Sequence, residues 1–112
     1  MVDLTDRVVR KAQLAAKTLN TLAPVRAVYL FGSQVEGKAN TDSDIDLAAF
    51  MDGIENWDMQ ERAKAMAQVM KEAGFDVEAH LFPAAFLENP PRASFAQYVL
   101  RHGARLDLDE AD

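Results

Sequence analysis

The chain has 112 residues, room for one compact domain but not for two. Eighteen acidic against twelve basic residues give a net charge of −6, which argues against a broad nucleic-acid-binding surface built from Lys and Arg. The absence of cysteine excludes a disulfide framework, a thiolate metal site and a Cys nucleophile, and with no membrane-length apolar run and no signal-peptide pattern the expectation is a soluble, cytoplasmic domain.

The first predicted element runs from Leu4 to Leu22. Apolar residues recur at Leu4, Val8, Ala12, Ala15, Leu19 and Leu22 in the helical rhythm of fours and threes, and Pro24 closes the segment. Val25 to Phe31 is almost continuously apolar, as in a strand covered on both faces. The stretch from Gly32 to Ser43 is polar and glycine-bearing and reads as a loop. A second strand follows from Asp44 to Met51, apolar apart from Asp44 and Asp46. Beyond Gly53, Asn56 is the expected N-cap of a helix whose apolar side is Met59, Ala63, Met66, Met70 and Ala73, with Gly74 at its end. Phe75 to Phe82 alternates as a third strand, with Phe75, Val77, Ala79 and Leu81 on one side and Asp76, Glu78 and His80 on the other. A short helix over Pro83–Leu87, a last helix over Ser94–His102 and an edge strand over Arg105–Leu108 complete the reading. The expected domain spans residues 1–106. Residues 107–112, with Asp107, Asp109, Glu110 and Asp112, form an acidic tail read as a solvated terminus.

The sharpest chemical feature is Asp44-Ile45-Asp46. Residues two apart on a strand share a face, so these carboxylates lie about 7 Å apart along it. Such a pair repels unless it is protonated, solvated or bridged by a cation, and all-oxygen ligation suits Mg²⁺ or Mn²⁺. Taken alone, two acids at this spacing are more simply a hydrated strand end. Gly32-Ser33, directly after the buried strand, adds what a lone pair lacks: backbone N–H groups and a hydroxyl placed to meet phosphate oxygens.

Leu30-Phe31-Gly32-Ser33, followed by Asp42-Ser43-Asp44-Ile45-Asp46-Leu47, resembles the signature of the DNA polymerase beta-like nucleotidyltransferase superfamily. More narrowly, the chain is similar to the single-domain minimal nucleotidyltransferases. The resemblance implies an α/β (α+β) domain, a small mixed sheet of three to four strands with helices packed on it, the polymerase beta-like palm fold. It implies a site of three carboxylates and two Mg²⁺ ions, with Mn²⁺ as the alternative, that moves a nucleoside monophosphate from an NTP, AMP from ATP first, to a hydroxyl. Gly32 and Ser33 would hold the triphosphate, and Asp44 and Asp46 would ligate metal. Glu78 is the expected third carboxylate, with Asp76 as the alternative, because Val77-Glu78-Ala79-His80-Leu81-Phe82-Pro83 is similar to the family's acid-bearing strand. Glu36 occupies a position where family members often carry Arg or Lys, and an acid there repels a triphosphate; Lys38 is the nearby cation that would replace it.

Other residues carry lighter expectations. His80 shares a face with Glu78 within reach of a metal. His102 sits at a helix end that favours a cation. The methionines read as core filler or a partner-binding stripe, while Trp57 and Tyr98 read as interface anchors or core edges. Since the chain has no room for a substrate-binding domain, the expected acceptor lies on a partner protein. Minimal nucleotidyltransferases are often paired with a HEPN-domain protein in toxin–antitoxin modules, which implies an antitoxin that attaches AMP to its partner. The alternatives are a catalytically weak or inactive module that neutralises or scaffolds such a partner by contact, and a housekeeping small-molecule nucleotidyltransferase.

Overall fold

The structure of the protein, a computed structural model, describes residues 5–32, 35 and 44–108. Helix α1 spans Asp6–Asn20. Thr5 caps it, its hydroxyl accepting from the Val8 N–H at 3.3 Å, so one of the unpaired first-turn donors is satisfied. Val8, Ala12, Ala15, Ala16 and Leu19 are buried. Leu22, expected on the same stripe, is exposed, because the helix has ended and the chain is turning. Leu4 lies outside the described residues.

Strands β1 (Val25–Phe31) and β2 (Ile45–Met51) are antiparallel, with Phe31 opposite Asp46 and Leu30 opposite Leu47. Helix α2 (Met59–Ala73) carries the chain back to β3 (Val77–Pro83), which runs parallel to β2; a parallel neighbour requires a crossover of this kind. A 3₁₀ turn over Ala84–Leu87 leads to α3 (Phe95–His102), capped by Ser94, whose hydroxyl accepts from the Gln97 N–H. Strand β4 is Ala104–Arg105, paired with β1 in place of the expected strand over 105–108. Leu106 continues the contact through its N–H, which donates to the Val28 carbonyl at 2.8 Å, and its side chain is buried. Among the described residues the sheet order is β3-β2-β1-β4, the mixed α/β architecture expected from sequence.

Two readings of α2 are corrected. Its N-cap is Asp58, not Asn56: the carboxylate accepts from the Glu61 N–H at 2.8 Å while the Glu61 side chain accepts from the Asp58 N–H at 3.4 Å, a reciprocal capping box. Its buried line is Ala65, Val69 and Ala73, while Met59, Met66 and Met70 are exposed. The helix packs on α1, which presents Ala12, Ala15 and Ala16. Small residues buried on both helices allow the two backbones to pack close. Phe75 likewise lies outside the core at 84% exposure, since β3 starts two residues later.

The sheet has two unequal faces. Leu30, Ile45, Leu47, Ala49, Met51, Val77, Ala79 and Leu81 face α1 and α2 and make the main core. Ala27, Phe31, Ala48 and Phe50 face the other way and are covered by Ala96 and Val99 of α3, with Tyr29, Phe82 and Phe86 at the margin. No helix among the described residues is long and apolar enough to cross a membrane.

Candidate metal and nucleotide site

The site lies on the thinner face. Register places Phe31 of β1, Asp46 of β2 and Glu78 of β3 in one row across the sheet. His80, two residues beyond Glu78 and on the same face, is the partner of Ala48, whose methyl leaves room for the imidazole. Asp46, Glu78 and His80 each direct one ligand atom into a common space, all within 4.8 Å of one another. His80 Nε2 lies 3.8 Å from Glu78 Oε1. The ring is fixed by two edge-to-face contacts, to Phe31 at 5.3 Å and Phe95 at 5.4 Å between centroids.

Electrostatics mark Asp46 as the strained member. Partial burial, then the Glu78 carboxylate beside it, and to a smaller extent Asp44, push the Asp46 carboxyl above its ordinary value; His80 acts in the opposite direction. Two carboxylates held this close without a cation repel, and proton uptake or a bound cation relieves them. The donor set of two carboxylates and an imidazole therefore fits a divalent ion.

Gly32 adjoins the same carboxylate. Its φ is +77°, and a Cβ built there would stand 2.8 Å from Asp46 Oδ2. This position requires glycine for two reasons, the left-handed backbone and the close approach of the acid.

Of the other expected residues, Asp44 precedes β2 and is exposed. It borders a groove lined by Met66, Met70, Phe75 and Glu78. Its charge reaches Asp46, but it stands apart from the tight cluster. Asp76 is engaged elsewhere: its carboxylate accepts from Lys11 Nζ at 2.5 Å and Arg7 Nη2 at 2.7 Å. The Lys11 hydrogen bond leads the causes that hold its carboxyl below the ordinary value. Asp76 lies in the turn entering β3, and of the two acids it is Glu78 that stands beside Asp46. Ser33, Glu36 and Lys38 lie outside the described residues. His102 is in the last turn of α3, its ring tilted against Tyr98 with 4.7 Å between centroids. Trp57 packs partly against the main core, and Tyr98 is exposed.

Sequence reading did not find the aromatic walls. Phe95 lies on a different element, and only Phe31 was within reach of pattern reasoning: adjacent to Gly32, it pairs with Asp46 once the register is known.

No sequence among curated proteins matches the chain. A protein of Sulfolobus solfataricus, provisionally described as a nucleotidyltransferase from its crystal structure, superposes with a TM-score of 0.58 over 73% of this chain and 72% of that one, at 20% identity. At that identity the likeness is one of fold. The family model described as polymerase beta, nucleotidyltransferase matches residues 13–104, a span that includes all three strands bearing the site, and the chain belongs to this polymerase beta nucleotidyltransferase family.

Proposed function

We propose that the protein transfers a nucleoside monophosphate, AMP from ATP, to a hydroxyl on a partner protein. The observation that carries this reading is the pairing of Asp46 with Glu78 across β2 and β3, with Gly32 packed against the Asp46 carboxylate. Asp44, Asp46 and Glu78 are the acids assigned to Mg²⁺ or Mn²⁺, and Gly32, Ser33 and Lys38 to the triphosphate. Bound divalent ions would neutralise phosphate charge and stabilise the pyrophosphate leaving group. The acids themselves fix where that charge sits. Asp46 is held by the strand ladder, and Glu78, more exposed, is the group able to accept the proton of the attacking hydroxyl.

The acceptor assignment is supported by the groove beside Asp44 and Glu78, where Met66, Met70 and Phe75 present apolar surface next to acid. Unpartnered apolar surface at a site's rim suits a macromolecule better than a small polar substrate, and a HEPN-type protein in the cytoplasm is the partner assigned. The same patch favours the second reading, a module that neutralises its partner by contact without turnover.

Incubation with α-labelled ATP, Mg²⁺ or Mn²⁺ and the product of the neighbouring gene separates the two. Label transfer with pyrophosphate release, abolished in Asp44→Asn and Asp46→Asn, is the expected result. Tight partner binding without transfer, indifferent to both substitutions, overturns it in favour of the contact module. Asp46→Asn is a clean variant for this purpose. Because its carboxyl holds its proton more strongly in the folded chain, the stability Asp46 contributes below its unfolded-state value is lost as pH rises through the folded-state one and stays lost above it. In chelator at neutral pH the amide should therefore melt no lower than the wild type.

A further inference from the structure

Nothing in the pairing of Asp46 with Glu78 requires a third donor, yet the sheet supplies one. His80 is two residues along β3 from Glu78, on the same face, with its ligand nitrogen inside the 4.8 Å cluster. Its ring packs edge to face against Phe31 and Phe95, which approach it from two elements. A ring fixed by apolar walls, with one nitrogen toward two carboxylates, is prearranged at little entropic loss on binding. We propose that His80 is a nitrogen ligand of the metal centre and that the centre therefore selects Mn²⁺ over Mg²⁺. The inference rests on the reading above that this cluster holds a divalent ion.

The chemistry follows from the donors. Mg²⁺ demands near-octahedral oxygen ligation and gives up its water reluctantly, so replacing a water by imidazole gains it little. Mn²⁺ is larger, accepts both oxygen and nitrogen, and lies above Mg²⁺ in affinity for nitrogen-bearing sites. An imidazole added to the carboxylates of the centre thus discriminates where carboxylates alone would not. The competing role for His80 is that of a cationic partner to Glu78, which the 3.8 Å separation of Nε2 and Oε1 also permits. That role places no nitrogen on a metal and confers no selectivity.

The test uses the full chain titrated calorimetrically with Mn²⁺, Co²⁺ and Mg²⁺, together with pulsed electron paramagnetic resonance of the Mn²⁺-loaded protein. Two variants are compared with the wild type. His80→Phe keeps an aromatic ring between Phe31 and Phe95 while removing the donor, and His80→Ala removes both. The wild type is expected to bind Mn²⁺ at least about tenfold more tightly than Mg²⁺, with ¹⁴N modulation from imidazole in the spectrum. His80→Phe should lose about tenfold for Mn²⁺ and Co²⁺, on the scale by which substitutions around a metal lower affinity, change less than about threefold for Mg²⁺, and lose the modulation. A spectrum without ¹⁴N coupling in the wild type, or an equal loss for all three ions in both variants, overturns the assignment. If the wild type binds none of the ions, with or without ATP, the metal-centre reading falls and this inference with it. If it binds Mg²⁺ and Mn²⁺ alike and loses both in Asp46→Asn, the centre stands and only the role of His80 is refuted.

Discussion

Gly32 illustrates how one residue ties backbone geometry to chemistry. Its φ of +77° lies where an L side chain costs about 1–2 kcal/mol, and a methyl there would sit 2.8 Å from Asp46 Oδ2. Gly32→Ala is expected to destabilise the fold by about that amount and to move the Asp46 carboxylate out of register with Glu78. Thermal melts with metal titration check both effects, the affinity loss exceeding what the melt alone explains. Asp46 lies in the row most exposed to this change, between Phe31 and Glu78. The role of this row was half legible in sequence. Period-two alternation placed Glu78 and His80 on one face, but Asp76 qualified by the same alternation. What distinguishes the two acids is distant in the chain: Lys11 and Arg7 of α1 engage Asp76, and no spacing rule within β3 reveals a partner more than sixty residues away.

At the scale of elements, that contact joins α1 to the turn entering β3. Asp76 has its carboxyl held below the ordinary value, so its stabilising contribution is fully present above the unfolded-state value and disappears as pH falls through the folded one. Asp76→Asn should cost about 0.5–1 kcal/mol at neutral pH, the scale of partly exposed ion pairs. The deficit should vanish in acid below the folded-state value, as urea melts at the two pH values would show. The helices and strands were readable because each has a strong local signal: the three-and-four apolar spacing of α1, the apolar run of β1, the alternation of β3. The facing of α2 was not. Met59, Met66 and Met70 keep a helical period as good as that of Ala65, Val69 and Ala73, and hydrophobicity favours the methionines. Burial goes instead to the line of Ala65, Val69 and Ala73, in one core cluster with Ala12, Ala15 and Ala16 of α1, a tertiary choice that the period of a single helix does not carry. Asn56 failed as a cap for a similar reason, since the reciprocal bond to Glu61 belongs to Asp58.

For the whole molecule, the sheet divides the chain into a thick side and a thin one. Two fifteen-residue helices cover the main core, while one eight-residue helix covers the aromatic face. Segments with less buried apolar contact open at lower free energy than the global transition. Amide exchange should therefore be slowest in β1 and β2 and distinctly faster in α3, where opening uncovers Phe31 and His80 without disturbing Leu47 or Val69. Equal protection of α3 and β2 would contradict this division. The fold class followed from element order together with the family resemblance; the asymmetry did not, because it depends on which face each helix occupies.

The ring of Phe95 therefore links an eight-residue helix to the cluster of Asp46, Glu78 and His80. Each excursion of α3 away from the sheet removes one wall from His80 while leaving Asp46 and Glu78 on their strands. A preparation with full helical signal and a sharp melt can thus contain molecules whose imidazole is out of place at any instant. If the proposed centre binds an ion through His80, occupancy in such a sample would count closed sites rather than folded chains, and a substitution at Phe95 would alter that count with the melting curve almost unchanged.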